Sequence, residues 1–185
     1  MTAIDDATGN ETLEVEEPTF EDLAARVDQL RDRVRHSEEQ ALLEETLEAI
    51  TEFNRAGLVE LVLRAAERRL PTLGICLGHQ AIGLAFGARL VRSTPAHGKL
   101  ARVTLDASRC LDMAPTTLTA MRYHSLSLVD VRPPLTVVGT LADGTVMAVE
   151  HQALPLLGLQ FHPDSHGTPR GRELVGAFFR AAGLP

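Results

Sequence analysis

The stretch L73-G-I-C-L-G-H-Q-A-I-G83 decides how this chain is read. A short apolar run, Thr72 to Ile75, ends in Cys76, and Gly74 and Gly78 stand two residues to either side. The next nine residues, HQAIGLAFG, have a helical pattern that Gly87 closes. A strand that turns sharply into a helix over G-x-C-x-G has the form of a nucleophile elbow. Such a turn holds its central residue in a strained conformation, and glycines on each side leave room for it. The unpaired N–H groups of the helix start favour a thiolate and can donate to an oxyanion. The other reading of Cys76 is a buried core cysteine, the commoner fate of that residue.

Working outward, strands and helices interleave from Leu58 to the end of the chain, which makes this part α/β. Leu58 to Leu70 reads as a helix, and ARLVRS (88–93) and KLARVTLD (99–106) as two strands. LTAMRYH (118–124) and LSLVDV (126–131) flank a turn at the histidine. The run 135–151 reads as a hairpin turning at Asp143-Gly144. LLGLQFHP (156–163) is a buried strand stopped by Pro163, and GRELVGAFFRAAG (171–183) a closing amphipathic helix. No internal repeat and no glycine-rich phosphate loop interrupts this order.

Residues 1–56 differ in kind. They hold 16 acids against 5 bases, whereas 57–185 hold 9 against 13. Residues 1–18 are polar and aperiodic and read as a disordered tail. In 19–56 apolar residues recur at three and four positions (Phe20, Leu23, Val27, Leu30, Val34, then Leu43, Leu47, Ile50, Phe53), which predicts a helical segment. A net charge of −7, no Trp and a single Tyr argue against nucleic-acid binding. No run approaches the ~20 apolar residues of a membrane span, and the acidic start is unlike a secretory signal. The two cysteines, Cys76 and Cys110, make no disulfide framework, so a cytoplasmic protein with reduced thiols is expected.

A cysteine nucleophile needs a base, and the base an orienting group. GLQFHPDS (158–165) offers both: His162 at a strand end and Asp164 two residues on. A loop histidine without a role is the alternative for this segment taken alone. His36, His151 and His166 read as solvated surface residues, and His79 and His124 as residues that shape a pocket or an interface.

These motifs together resemble the class I (triad) glutamine amidotransferases. GICLGHQ is similar to that family's nucleophile elbow and GLQFHPDS to its histidine strand, which usually ends F-H-P-E-S. CLGHQAIGLAFG, the pair His97-Gly98 and RYHSL (122–126) narrow the resemblance to the amidotransferase subunit of anthranilate synthase and aminodeoxychorismate synthase. The resemblance covers 57–185 and implies a flavodoxin-like α/β sheet. It also implies that Cys76 attacks glutamine, that His162 acts as base and then acid, and that Asp164 orients His162. Leu77 would give an oxyanion N–H, and Gln80, Ser125 and Leu126 would contact the substrate. Ammonia would pass to a chorismate-binding synthase subunit, with no cofactor and no metal. A cysteine hydrolase of other specificity fits less well, since Gln80 and RYHSL match glutamine-site positions.

Two differences from the family stand out. Asp164 replaces the usual Glu and shortens the reach by about 1.5 Å of chain. Residues 1–56 contain neither the family's early apolar strands nor its P-G-P-G loop, which supplies a second oxyanion donor. The sheet is therefore expected to be truncated at its N-terminal strands and preceded by helix. A catalytically impaired interaction or regulatory module is the alternative function.

Overall fold

The computed structural model of the protein describes residues 57–184. The expected tail 1–18 and helical segment 19–56 lie outside the described residues. Helix α1 ends at residue 67. Then follow β1 (Thr72–Ile75), α2 (Leu77–Ala85), β2 (Arg89–Leu105), β3 (Thr116–Val129), β4 (Leu135–Thr140), β5 (Val146–His151), β6 (Leu156–Leu159) and α3 (Gly171–Ala181). The strands form one mixed sheet in the order β1-β6-β5-β4-β2-β3, in which β1 and β6 are parallel and the other pairs antiparallel.

Residues of opposite parity leave opposite faces of a strand, and β6 shows the consequence. Leu157, Leu159 and, just beyond the strand, Phe161 join the core beneath α3, together with Val103, Met147, Leu174 and Phe178. Gly158 faces the other way, towards α2, whose Ala81 and Ile82 pack with Val62, Leu128, Leu135 and Val149. The α3 core and the α2 core thus lie on opposite faces of the sheet. All four residues of β6 are buried, as expected of a short apolar strand covered on both faces.

Two glycines let α2 sit close to the sheet. Gly74 and Gly158 are register partners in the β1–β6 pair. A Cβ on Gly74 would come within 2.6 Å of the Gly78 backbone, and one on Gly158 within 3.1 Å of the His79 Cα. Side chains at this pair would push the N-terminal turn of α2 off the sheet. The expectation that both elbow glycines make room holds for Gly74 only, since a Cβ on Gly78 meets nothing within 4 Å.

Three expectations are corrected. The strands at 88–93 and 99–106 are parts of one strand, β2, which stays continuous through Ser93–Thr94–Pro95 by bulging against β3. No turn forms at His124, because β3 runs through it, paired Ala96↔His124 and Arg92↔Leu126. His151 is buried at the end of the interior strand β5, where its Nδ1 accepts the Ala153 and Leu154 N–H groups at 3.0 Å each. The Asp143-Gly144 hairpin forms as expected, with Thr145 N–H donating to Asp143 Oδ1 at 2.9 Å and Gly144 at φ +84°.

Candidate active site

Because β1 and β6 are parallel neighbours, the residues that leave their C-terminal ends emerge at the same end of the sheet. Cys76 leaves β1 and is the N-cap of α2, with φ 52° and ψ −100°. A non-glycine residue in such a conformation stores on the order of 1–3 kcal/mol of strain, held only where the surroundings fix it. Here the Cys76 N–H is tied to the Leu159 carbonyl at 2.8 Å, and its own carbonyl accepts the Gln80 N–H at 3.1 Å. The chain is thereby clamped to β6 on one side of Cys76 and to α2 on the other.

Burial is the largest influence on the Cys76 thiol and pushes it up. The Leu77 N–H favours the thiolate, the Asp164 charge opposes it, and the Gln160 side chain favours it again. The sum is upward. The expected thiolate preference at the helix start is therefore outweighed by desolvation. Cys76 rests as a thiol at neutral pH and needs a base to react.

His162 lies three residues beyond β6. Its N–H donates to the Met121 carbonyl at 3.0 Å, and its carbonyl accepts the Thr168 hydroxyl at 2.6 Å. The same Thr168 oxygen accepts the Met121 N–H at 2.9 Å, so β3 and the loop before α3 hold the histidine backbone together. Tyr123 meets the imidazole edge-on, with 5.3 Å between ring centres. Asp164 Oδ1 stands 3.3 Å from His162 Nδ1, so Nε2 is the ring nitrogen that does not face Asp164.

The remaining expected site residues divide. Gln80 is buried, and its Nε2 donates to Gln160 Oε1 at 3.2 Å. Gln160 is fully buried, and its own Nε2 reaches Cys76 Sγ at 3.8 Å. Ser125 and Leu126 lie within β3, where the Leu126 carbonyl accepts from His124 Nδ1 at 2.9 Å. His79 is fully buried, and burial drives it down to about 4. Burial also lowers His124. Both are neutral at pH 7 and serve as polar packing. Cys110 sits across the sheet from this cluster, its N–H on Glu150, with burial pushing its thiol up to about 11.

Sequence reasoning missed Gly158, Gln160, Tyr123 and Thr168. For the first two a signal existed: in L-L-G-L-Q-F, the residues opposite in parity to Leu157, Leu159 and Phe161 face the other side of the strand, and a glycine inside a strand marks a close approach. Among the described residues no group of three or more His, Cys, Asp or Glu is placed to hold a metal, and no helix is long and apolar enough to cross a membrane.

Residues 46–182 match the family model described as glutamine amidotransferase class-I. Aminodeoxychorismate synthase of Streptomyces griseus is 44% identical over 115 residues, which are 62% of this chain and 16% of that protein. Anthranilate synthase component 2 of Methanothermobacter thermautotrophicus is 43% identical over 112 residues, 60% of this chain and 57% of the relative. The match thus spans little more than half of the component 2 protein and a small part of the longer synthase. Among solved structures, a glutamine amidotransferase from Thermotoga maritima superposes with TM-score 0.53 at 19% identity, covering 78% of this chain and 57% of that one. A glutamine amidotransferase from Methylobacillus flagellatus gives TM-score 0.52 at 19% identity, covering 69% and 50%. At these identities the superpositions show the fold alone.

Proposed function

This chain belongs to the class I glutamine amidotransferases, and from that premise we propose that it releases ammonia from glutamine for a chorismate-using synthase. The observation that carries the reading is Cys76 itself. It is held at φ 52° between a partly buried parallel strand and a helix, and the Leu77 N–H favours its thiolate. The component 2 and aminodeoxychorismate synthase relatives support the chorismate-using partner.

In this mechanism His162 Nε2 takes the Cys76 proton as the sulfur attacks the glutamine side-chain carbonyl. The developing oxyanion is met by the Leu77 N–H. Collapse breaks the C–N bond, and the His162 proton leaves with the nitrogen as ammonia. Water, deprotonated by the same imidazole, then hydrolyses the γ-glutamyl thioester to glutamate and the free thiol. Asp164 holds Nδ1 and so fixes which nitrogen faces the sulfur. Gln80 and the Ser125-Leu126 segment bound the substrate side. Anthranilate and aminodeoxychorismate synthesis are both represented among the relatives, and the same ammonia serves either.

The test is covalent labelling by a glutamine-mimicking electrophile, followed by glutamine hydrolysis with and without an added synthase subunit. Cys76 is expected to label ahead of Cys110, and His162→Ala to slow that labelling. Equal labelling of the two thiols, or labelling indifferent to His162, overturns the reading. One observation favours a second reading, a catalytically impaired interaction module: the Cys76 thiol is raised, with the Asp164 charge contributing. A chain with a single oxyanion donor would turn glutamine over roughly 10²–10³-fold more slowly than an intact relative. Selective labelling combined with such a deficit marks the impaired form.

A further inference from the structure

Gln160 follows β6 directly, is fully buried, and has no place in the mechanism above. Its backbone N–H is spent on the Met147 carbonyl at 2.9 Å, so its position is fixed by β5 rather than by the site. Its side chain is fixed separately. Gln80 Nε2 donates to Gln160 Oε1 at 3.2 Å, which orients the carboxamide and leaves the Gln160 Nε2 protons to point away from Gln80. Nε2 then lies 3.8 Å from Cys76 Sγ, within range for an N–H donor to sulfur. A neutral carboxamide has two donors on nitrogen and no proton to lose. It can therefore hold a thiolate without competing for the proton that the base must take.

We propose that Gln160 is a second donor to the Cys76 sulfur, held in its donating orientation by Gln80, and that the pair stabilises the thiolate when His162 withdraws the proton. The proposal rests on the reading of Cys76 as nucleophile. The groups around the sulfur divide by sign. Asp164, from the loop after β6, opposes the thiolate, as does burial. The Leu77 N–H of α2 and Gln160 favour it. His162, beside Asp164, is the base of the proposed mechanism. His79 of α2 and His124 of β3 are held neutral by burial and carry no charge to the site at pH 7. Gln160 therefore offsets part of the cost that desolvation and Asp164 impose. The geometry also gives Gln80 a structural duty besides the substrate contact expected of it.

The experiment is the pH dependence of iodoacetamide alkylation in the full chain, read peptide by peptide so that Cys110 serves as the internal reference. Gln160→Met keeps the length of the side chain and removes both donors. The Cys76 midpoint is expected to rise by about one unit, with alkylation below the midpoint slowed up to about tenfold, while Cys110 stays put. Gln160→Glu, which sets a carboxylate beside the sulfur, raises the midpoint further. An unmoved Cys76 midpoint in a folded Gln160→Met chain overturns the proposal, even if its thermal stability falls, because that is the signature of packing alone. Should the variants not fold, the ¹⁵N resonance of the Gln160 side chain in the unaltered protein answers instead. It is expected to titrate with the Cys76 midpoint, and a flat resonance overturns the proposal. Failure of the function is separately visible: unselective alkylation of Cys76 and Cys110 in the unaltered chain sinks the nucleophile reading. Selective alkylation with no Gln160 dependence sinks only this inference.

Discussion

Replacing Gly74 and Gly78 one at a time by Ala separates two glycines that the sequence presents as a symmetrical pair. At Gly74 the new methyl would lie 2.6 Å from both the carbonyl carbon and oxygen of Gly78 and 2.8 Å from Ile82 Cδ1. Two of the three obstacles are backbone atoms of α2, which cannot rotate aside as a side chain can. Overpacking of this kind costs about 1–3 kcal/mol, and a backbone obstacle belongs at the upper end. At Gly78 the methyl meets nothing within 4 Å, and the residue lies in the first turn of α2. There Ala in place of Gly gains about 0.5–1 kcal/mol of backbone entropy. The two variants should therefore differ by roughly 2–4 kcal/mol, with Gly74→Ala below the parent and Gly78→Ala level with it or above. Urea unfolding at pH 7, followed by far-ultraviolet circular dichroism, reads this as a shift of midpoint at constant slope. If Gly74→Ala is as stable as the parent, or Gly78→Ala loses as much as Gly74→Ala, the close approach of α2 to the sheet is not what the glycine at 74 serves.

Two further predictions follow from the same geometry. A Cβ on Gly171 would fall 1.7 Å from the Pro163 carbonyl oxygen, so Gly171→Ala should displace the His162–Asp164 segment. Its expected cost is about 1–3 kcal/mol in urea unfolding, with slowed Cys76 labelling, and unchanged labelling would refute the displacement. His79, depressed to about 4 in the fold, contributes stability that is present above its ordinary value of 6.5 and lost as pH falls towards 4. Between pH 7 and pH 5 it should remove about 2 kcal/mol. His79→Met should flatten that part of the pH dependence, leaving the smaller contributions of His124 and His151, which have the same sign. An unchanged slope would show that His79 is not buried as a neutral ring.

The parts of this fold that could be read from the sequence are those whose cause is local. The Asp143-Gly144 hairpin is fixed by residues within its own turn, and the elbow by residues from Gly74 to Gly83. What was misread depends on a neighbour. Pro95 and Gly98 punctuate 93–98 as a loop would, yet β2 continues there because β3 pairs on both sides of the irregularity and the surplus residues are absorbed as bulges. His124 and Ser125 look like a turn on the same logic, but the irregularity belongs to the facing strand. His151 follows Glu150 and precedes Gln152, a polar setting that suggests surface. It is buried because β5 lies between β4 and β6. The Cys76 thiol shows the same limit in energetic form. The helix start is visible in the sequence, whereas the desolvation that outweighs it depends on what packs around the turn.

The shorter carboxylate at Asp164 is the clearest case of tertiary structure absorbing a departure. One methylene less would be costly if the side chain had to bring His162 into place. It does not have to, because His162 is located through its backbone, by Met121 on one side and Thr168 on the other. Asp164 needs only to reach a ring that is already positioned, and it arrives at 3.3 Å. That is longer than the ~2.7–2.9 Å of a strong charge-assisted bond. Its side chain is also 71% exposed, where an ion pair contributes at most about 1 kcal/mol. The carboxylate therefore has little to do with holding the loop. In the proposed mechanism its effect is confined to the tautomer of the imidazole and to the charge it sets near Cys76, where it raises the thiol that His162 must deprotonate. The same group thus prepares the base and makes its task harder. In that mechanism the Leu77 N–H and the Gln160 carboxamide, which favour the thiolate, offset the second effect while leaving the first intact.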